Sequence, residues 1–150
     1  MKNREFQSSV IAALLLFAVS AAGAAENYYC KYCGHRASDI RSLTFAKCIR
    51  HPSGSFRGNH ELYEGREKPR YICKFCGHTD SRISGLTAGK CLRHPNGAFK
   101  GNHEPYEGQE KPRYTCKFCG HGDLRISGLT AGKCPRHPDG AFKGNHQPAR

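Results

Sequence analysis

The side chains of this 150-residue chain best suited to hold a soft metal ion are nine cysteines and nine histidines, and all of them recur at matching places in a 43-residue unit present three times. The first copy carries Cys30, Cys33, His35, Cys48, His51 and His60. The second carries Cys73, Cys76, His78, Cys91, His94 and His103, and the third Cys116, Cys119, His121, Cys134, His137 and His146. Each copy opens with Cys-x2-Cys-Gly, a spacing that lets two thiolates converge on one ion while the glycine frees the backbone to turn beneath it. A third cysteine stands fourteen intervening residues further on, as Cys48 follows Cys33, and begins a second knuckle, Cys48-x2-His51. Three thiolates and one imidazole complete a tetrahedral zinc site with no vacant position for substrate, so one zinc per copy, about three in all, is expected as a structural ion.

The fourth ligand has two candidates. His51 (His94, His137) belongs to the second knuckle; His60 (His103, His146) lies beyond the His51-Pro52-Ser53-Gly54 turn, on what reads as a returning strand through Phe56, Gly58 and His60. A strand lying back against the Tyr28 to Cys33 arm favours His60 and leaves His51 open. His35 follows Cys33 by two residues and points away from the knuckle in an extended chain. Two other uses of the cysteines compete with structural zinc. Disulfides suit an oxidising compartment, yet three cysteines cannot pair completely within a copy, and nine leave one over. Buffering or sequestration of zinc or Cu(I) would exploit the same soft donors, but requires an ion that leaves without unfolding its site.

Modules of about 40 residues seldom bury enough apolar surface to fold unaided, so the metal must staple each one. The core expected in the second copy is Tyr71, Phe75, Ile83, Leu86, Phe99 and Tyr106. A short strand leads into the first knuckle; Ser81 to Gly89 reads as irregular or a single turn with Ile83 and Leu86 inward, since Gly85 and Gly89 both disfavour a helix. Composition divides the chain into a leader at 1–24, a first repeat at 25–65, a polar joint at 66–70, a second repeat at 71–108, a joint at 109–113 and a third repeat at 114–150. The second and third copies agree at 29 of the 37 positions from 71–107 and 114–150. The first copy differs mostly between its ligands.

The leader reads as a signal peptide. Lys2 and Arg4 precede an apolar run from Val10 to Ala22, and Ala22-Gly23-Ala24 supplies small residues for cleavage after Ala24. The run is short for a span of about 20 residues, which argues against an integral membrane protein. A periplasmic or secreted protein is expected.

The pattern Tyr-x-Cys-Lys-[Tyr/Phe]-Cys-Gly, then Leu-Thr, then Cys-x2-His-Pro-x-Gly and finally Gly-x-His resembles the zinc-ribbon-like tandem repeats of small exported bacterial proteins of unknown function. The resemblance covers nearly the whole mature chain. It implies small, metal-stabilised, β-rich modules, three tandem zinc-ribbon-like repeats arranged like beads on a string, and supplies no reaction. The joint Glu110-Lys111-Pro112 is superficially like the linker of two-cysteine two-histidine fingers, but His51 stands eighteen positions after Cys33 and His60 nine beyond it, spacings that those fingers do not have.

The whole chain carries a formal charge of +12, and loss of Lys2, Arg4 and Glu5 leaves +11. Three zinc sites of one net negative charge each bring the mature protein to about +8. Basic residues recur in register: Lys47, Lys90 and Lys133 before the third cysteine, and Arg57, Lys100 and Lys143 after Phe56, Phe99 and Phe142. A polyanion is the expected partner, whether a cell-surface polymer, an anionic lipid surface or extracellular nucleic acid bound without base specificity. Nothing supports an enzyme. Haem attachment needs histidine directly after Cys-x2-Cys, where Gly34, Gly77 and Gly120 stand, and a redox Cys-x2-Cys belongs to a βαβ context that is missing here.

Overall fold

The computed structural model describes residues 26–150, and the expected leader at 1–24 lies outside them. Each repeat is built from the same three short elements. In the first, β1 (Tyr28–Tyr29) pairs antiparallel with β2 (Arg36–Ala37), followed by α1 (Ile40–Phe45). The second has β3 (Tyr71–Ile72), β4 (Thr79–Asp80) and α2 (Ile83–Leu86); the third has β5 (Tyr114–Thr115), β6 (Gly122–Asp123) and α3 (Ile126–Leu129). The hairpins stay short because the first knuckle forms their turn. The Cys30 amide donates to the His35 carbonyl at 2.8 Å, the Gly34 amide to that of Cys30, and Gly34 takes a φ of 71° that a side chain would oppose.

The single turn expected over Ser81 to Gly89 is α2, with Ile83 and Leu86 buried as anticipated. The returning strand is not formed. Its segment makes only two isolated bridges, Lys47 with Asn59 and Cys30 with Leu62. Phe99 also departs from expectation, being 59 % exposed rather than part of the core. Its amide donates to the Cys91 carbonyl at 2.9 Å within a tight turn, which holds φ at 59° and directs the ring to solvent. Phe56 and Phe142 repeat this left-handed conformation, uncommon for a bulky residue.

Successive modules are in direct contact, so the string is a packed one. Tyr63 of the first repeat is buried in one apolar cluster with Tyr71, Phe75, Ile83 and Leu86 of the second, and Tyr29 packs against it. Tyr106 and Ile72 do the same for the third repeat, alongside Tyr114, Ile126 and Leu129. Tyr106, expected in the core of its own module, therefore serves the next one. Polar contacts reinforce the stacking: one guanidinium nitrogen of Arg50 donates to the Ser84 carbonyl at 2.8 Å and to Thr87 Oγ1 at 3.1 Å, and Arg93 repeats this with Ser127 and Thr130. Arg150 pairs with both Glu64 and Glu107, bringing all three repeats together at one edge. Among the described residues no helix is long and apolar enough to cross a membrane.

Candidate metal centres

Three clusters stand out, one per repeat: Cys30, Cys33, Cys48 and His60; Cys73, Cys76, Cys91 and His103; Cys116, Cys119, Cys134 and His146. Within each, one donor atom per residue lies within 4.8 Å of every other. The two bridges explain how the histidine arrives. Asn59 is tied to Lys47, beside the second knuckle, and Leu62 to Cys30 in the first, so His60 is carried between the two knuckles. Its amide also donates to the Ala46 carbonyl at 3.0 Å.

The spacing fits a tetrahedral ion. Zinc–sulfur bonds of about 2.3 Å place two sulfurs about 3.8 Å apart, against about 2.05 Å in a disulfide. Cys30 and Cys48 Sγ are separated by 3.8 Å, and the equivalent pairs of the other repeats by 3.9 Å. The histidine presents Nδ1, 3.3 Å from Cys33, Cys76 or Cys119 Sγ in the respective clusters. All nine cysteines are free thiols. Each cluster is thus a Cys3His site for a single zinc ion, with four protein ligands and no open position.

The electrostatics prepare these sites for a cation. Hydrogen bonding from the Cys33 thiol pulls Cys30 down to about 4, and the same bond pushes Cys33 upward. In the second cluster, bonds from Cys73 and Cys91 pull Cys76 down to about 3, while Cys91 is raised. In the third, burial opposes the charge on Cys116, but backbone amides of Phe118, Gln147 and Cys119 bring it to about 6. One thiolate per cluster therefore stands ready at neutral pH, and the ion displaces the protons held by its neighbours.

The other histidines lie outside the clusters. His51, the alternative fourth ligand, accepts a hydrogen bond at Nδ1 from the Ser53 amide at 3.2 Å and meets Tyr32 edge-on at 5.5 Å. Its ring covers Gly58, where any β-carbon would stand 2.2 Å from Nε2. His94 and His137 repeat the arrangement with Asn96 and Asp139, against Phe75 and Phe118. These rings brace the second turn, and burial holds His94 below the usual imidazole range. His35, His78 and His121 stack on the cluster histidines with ring centroids 4.7 to 4.8 Å apart. Sequence reasoning missed that stacking; its only trace was the same two-residue offset from the second cysteine in every copy.

Among the described residues no catalytic arrangement is evident, and the closed clusters are consistent with structural, non-catalytic modules. Comparison of the chain with protein-family models, curated proteins and solved structures returns no match.

Proposed function

We propose that this is an exported, non-enzymatic binding protein, in which three structural zinc ions hold a packed array of modules that presents basic side chains to an anionic partner. The observation that carries the reading is the position of the ions. Each set of donors is closed and buried or nearly so, and its ligands come from both knuckles and the tail of one module. Withdrawal of the ion would separate the segments that make up the module, which suits a folding ion and opposes a buffer that must release its cargo. The basic residues support the second half of the proposal. Lys47, Lys90 and Lys133, with Arg57, Lys100 and Lys143, are exposed at equivalent places, so one chain offers the same charges repeatedly to one extended partner.

The test is a chelator titration of the mature chain, following zinc release, circular dichroism and retention on an anionic matrix together. About three zinc ions per chain should leave in step with loss of structure, and retention should disappear with them. A chain that keeps its fold when stripped and reloads freely would make it a metal-handling protein. Failure of the folded, zinc-loaded chain to bind any anionic matrix at low salt would overturn the anionic partner. Processing gives a separate check, because export predicts a mature amino terminus at Ala25.

A further inference from the structure

Stacking of the modules creates something that no single module possesses. Between the first and second repeats lies a half-open cleft of about 320 Å³, and between the second and third an equivalent one of about 380 Å³. The first is walled by Arg50 and His51 of one module and by Lys90, His94 and Lys100 of the next. Shifted by one repeat, Arg93, His94, Lys133, His137 and Lys143 wall the second. His94 lines both, so the two clefts adjoin along the array.

The arginines within them are held by the carbonyl and threonine acceptors of the next module, but the lysine charge is uncommitted. None of these four lysines takes part in an ion pair among the described residues, whereas Lys74 is bound to Glu104 at 2.6 Å, which occupies the one glutamate lining the first cleft. At the matching position in the second cleft stands neutral Gln147; Asp139 supplies the acid there and faces His137. The stem of Lys100 lies across Gly97, and that of Lys143 across Gly140, where a β-carbon would stand 3.1 Å from the stem in each case. The turn thus supports each lysine rather than leaving it to sweep through solvent. A concave, cationic cleft suits a compact tetrahedral anion on a chain better than the plane of a bilayer. Nucleobases are poorly served. The aromatic side chains Tyr32 and Phe75 each have a lysine ammonium over the ring, at 5.0 and 4.9 Å, and a histidine against them, which leaves little free face for stacking.

We infer that the two adjoining clefts form one track for a linear polymer of phosphate groups, one phosphate seated between Lys90 and Lys100 and another between Lys133 and Lys143. This rests on the anionic partner proposed above and specifies its chemistry and its place. Inorganic polyphosphate and a polyol-phosphate polymer share that chemistry.

The full, zinc-loaded mature chain would be titrated at fixed salt with long-chain polyphosphate, with poly(glycerol phosphate) and with tripolyphosphate. Two double variants would be compared, Lys90→Gln/Lys100→Gln and Lys47→Gln/Arg57→Gln. Each removes two positive charges from equivalent positions of a module, but only the first pair lines one of the two adjoining clefts; Lys47 borders a separate, more open hollow beside Ser84, and Arg57 borders neither cleft. Zinc content serves as the folding control. The expected result is tighter binding of a long polymer than of tripolyphosphate, weakened about ten-fold by the cleft pair and less than about three-fold by the other. The polymer bound more tightly identifies the source. Equal weakening by both pairs would overturn the track while leaving an anion-binding protein. Binding of vesicles containing phosphatidylglycerol without binding of either polymer would overturn it in favour of a membrane surface, and tighter binding of a single-stranded oligonucleotide than of polyphosphate in favour of nucleic acid. Binding to no polyanion would remove the track and the proposed function together.

Discussion

The three modules keep the same ligands, but the first differs from the other two on the face that meets a preceding neighbour. Ser84 and Ser127 lie beneath Gly34 and Gly77 of the module before, close enough that a β-carbon on either glycine would meet a backbone nitrogen at 2.4 or 2.6 Å. The first module carries Arg41 in their place. Thr87 and Thr130 are fully buried beside the incoming arginine, whereas Thr44 is half-buried, and Phe45, 86 % exposed, replaces Ala88 and Ala131. Its helix also differs. The six-residue α1 has its own cap, Asp39 accepting from the Ser42 amide at 2.8 Å, while the four-residue α2 and α3 have no side-chain cap: Asp80 and Asp123 accept only from the amides of Arg82 and Arg125, just ahead of the helices. The opposite face changes in the third module, where exposed Thr115 replaces Tyr29 and Ile72, and Ala149 replaces Tyr63 and Tyr106. Ligand positions are insensitive to neighbours and interface positions are not, so two separable layers of interaction hold the molecule: zinc within a module, packing between modules.

The largest effect should come from breaking the first layer at different points of the array. Cys119→Ser removes one ligand from the third site, and because structural zinc contributes on the order of 10 kcal/mol to folding, that module should unfold. Zinc content should fall to about two per chain, with the first two modules retaining their dispersed amide resonances. Cys76→Ser strikes the second site, whose module shares apolar contacts with both neighbours. It should unfold the second module and also lower the unfolding midpoints of the first and third, a spread that independent beads would not show. Neighbours as stable in Cys76→Ser as in the parent chain would break the comparison.

The next effect isolates the interface. Gly77 and Gly120 hold nearly the same φ, 75° and 74°, so Gly→Ala costs about 1–2 kcal/mol at either from conformation alone. A β-carbon at Gly77 would also meet the Ser127 nitrogen at 2.6 Å, whereas at Gly120 nothing lies within 4 Å. Gly77→Ala should therefore lose a further ~1–3 kcal/mol in denaturant unfolding of the zinc-loaded chain. Equal losses would mean that the second and third modules do not meet there.

The metal layer was legible in the sequence because coordination chemistry leaves a fixed spacing. Cys30, Cys33 and Cys48 could be read directly, and so could the need for one histidine. The choice between His51 and His60 was not settled, since it depends on a pair of isolated bridges with no strand pattern of their own. The interface was invisible for a different reason. Tyr106 read as a core residue of its own module and Tyr63 and Ile72 drew no assignment, because nothing in a period of 43 residues says that an apolar side chain is buried one repeat further on. Phe99 misled because hydrophobicity alone suggests burial; a tight turn around the Cys91 carbonyl sends it outward instead. The departures of the first copy between its ligands were visible as differences, but they acquire meaning only once the facing surface is known.

The smallest of the three effects tests whether one polar contact, rather than general proximity, fastens neighbouring modules. Arg93 donates from a single guanidinium nitrogen to the Ser127 carbonyl at 2.6 Å and to Thr130 Oγ1 at 3.2 Å, both part-buried. Arg136 occupies the same place in the third module, with no such acceptor among the described residues. Hydrogen bonds from a charged group are worth about 1.5–3 kcal/mol, so Arg93→Ala should destabilise the array by roughly that amount. Arg136→Ala should stay within about 0.5 kcal/mol of the parent, as befits a surface change. Arg93→Lys should recover only part of the loss, because the lysine side chain is shorter and its compact, strongly hydrated ammonium loses more on entering this partly buried position. If both alanine variants melt with the parent chain, this contact does not fasten the modules, and the shared apolar clusters and the ion pairs of Arg150 hold them together without it.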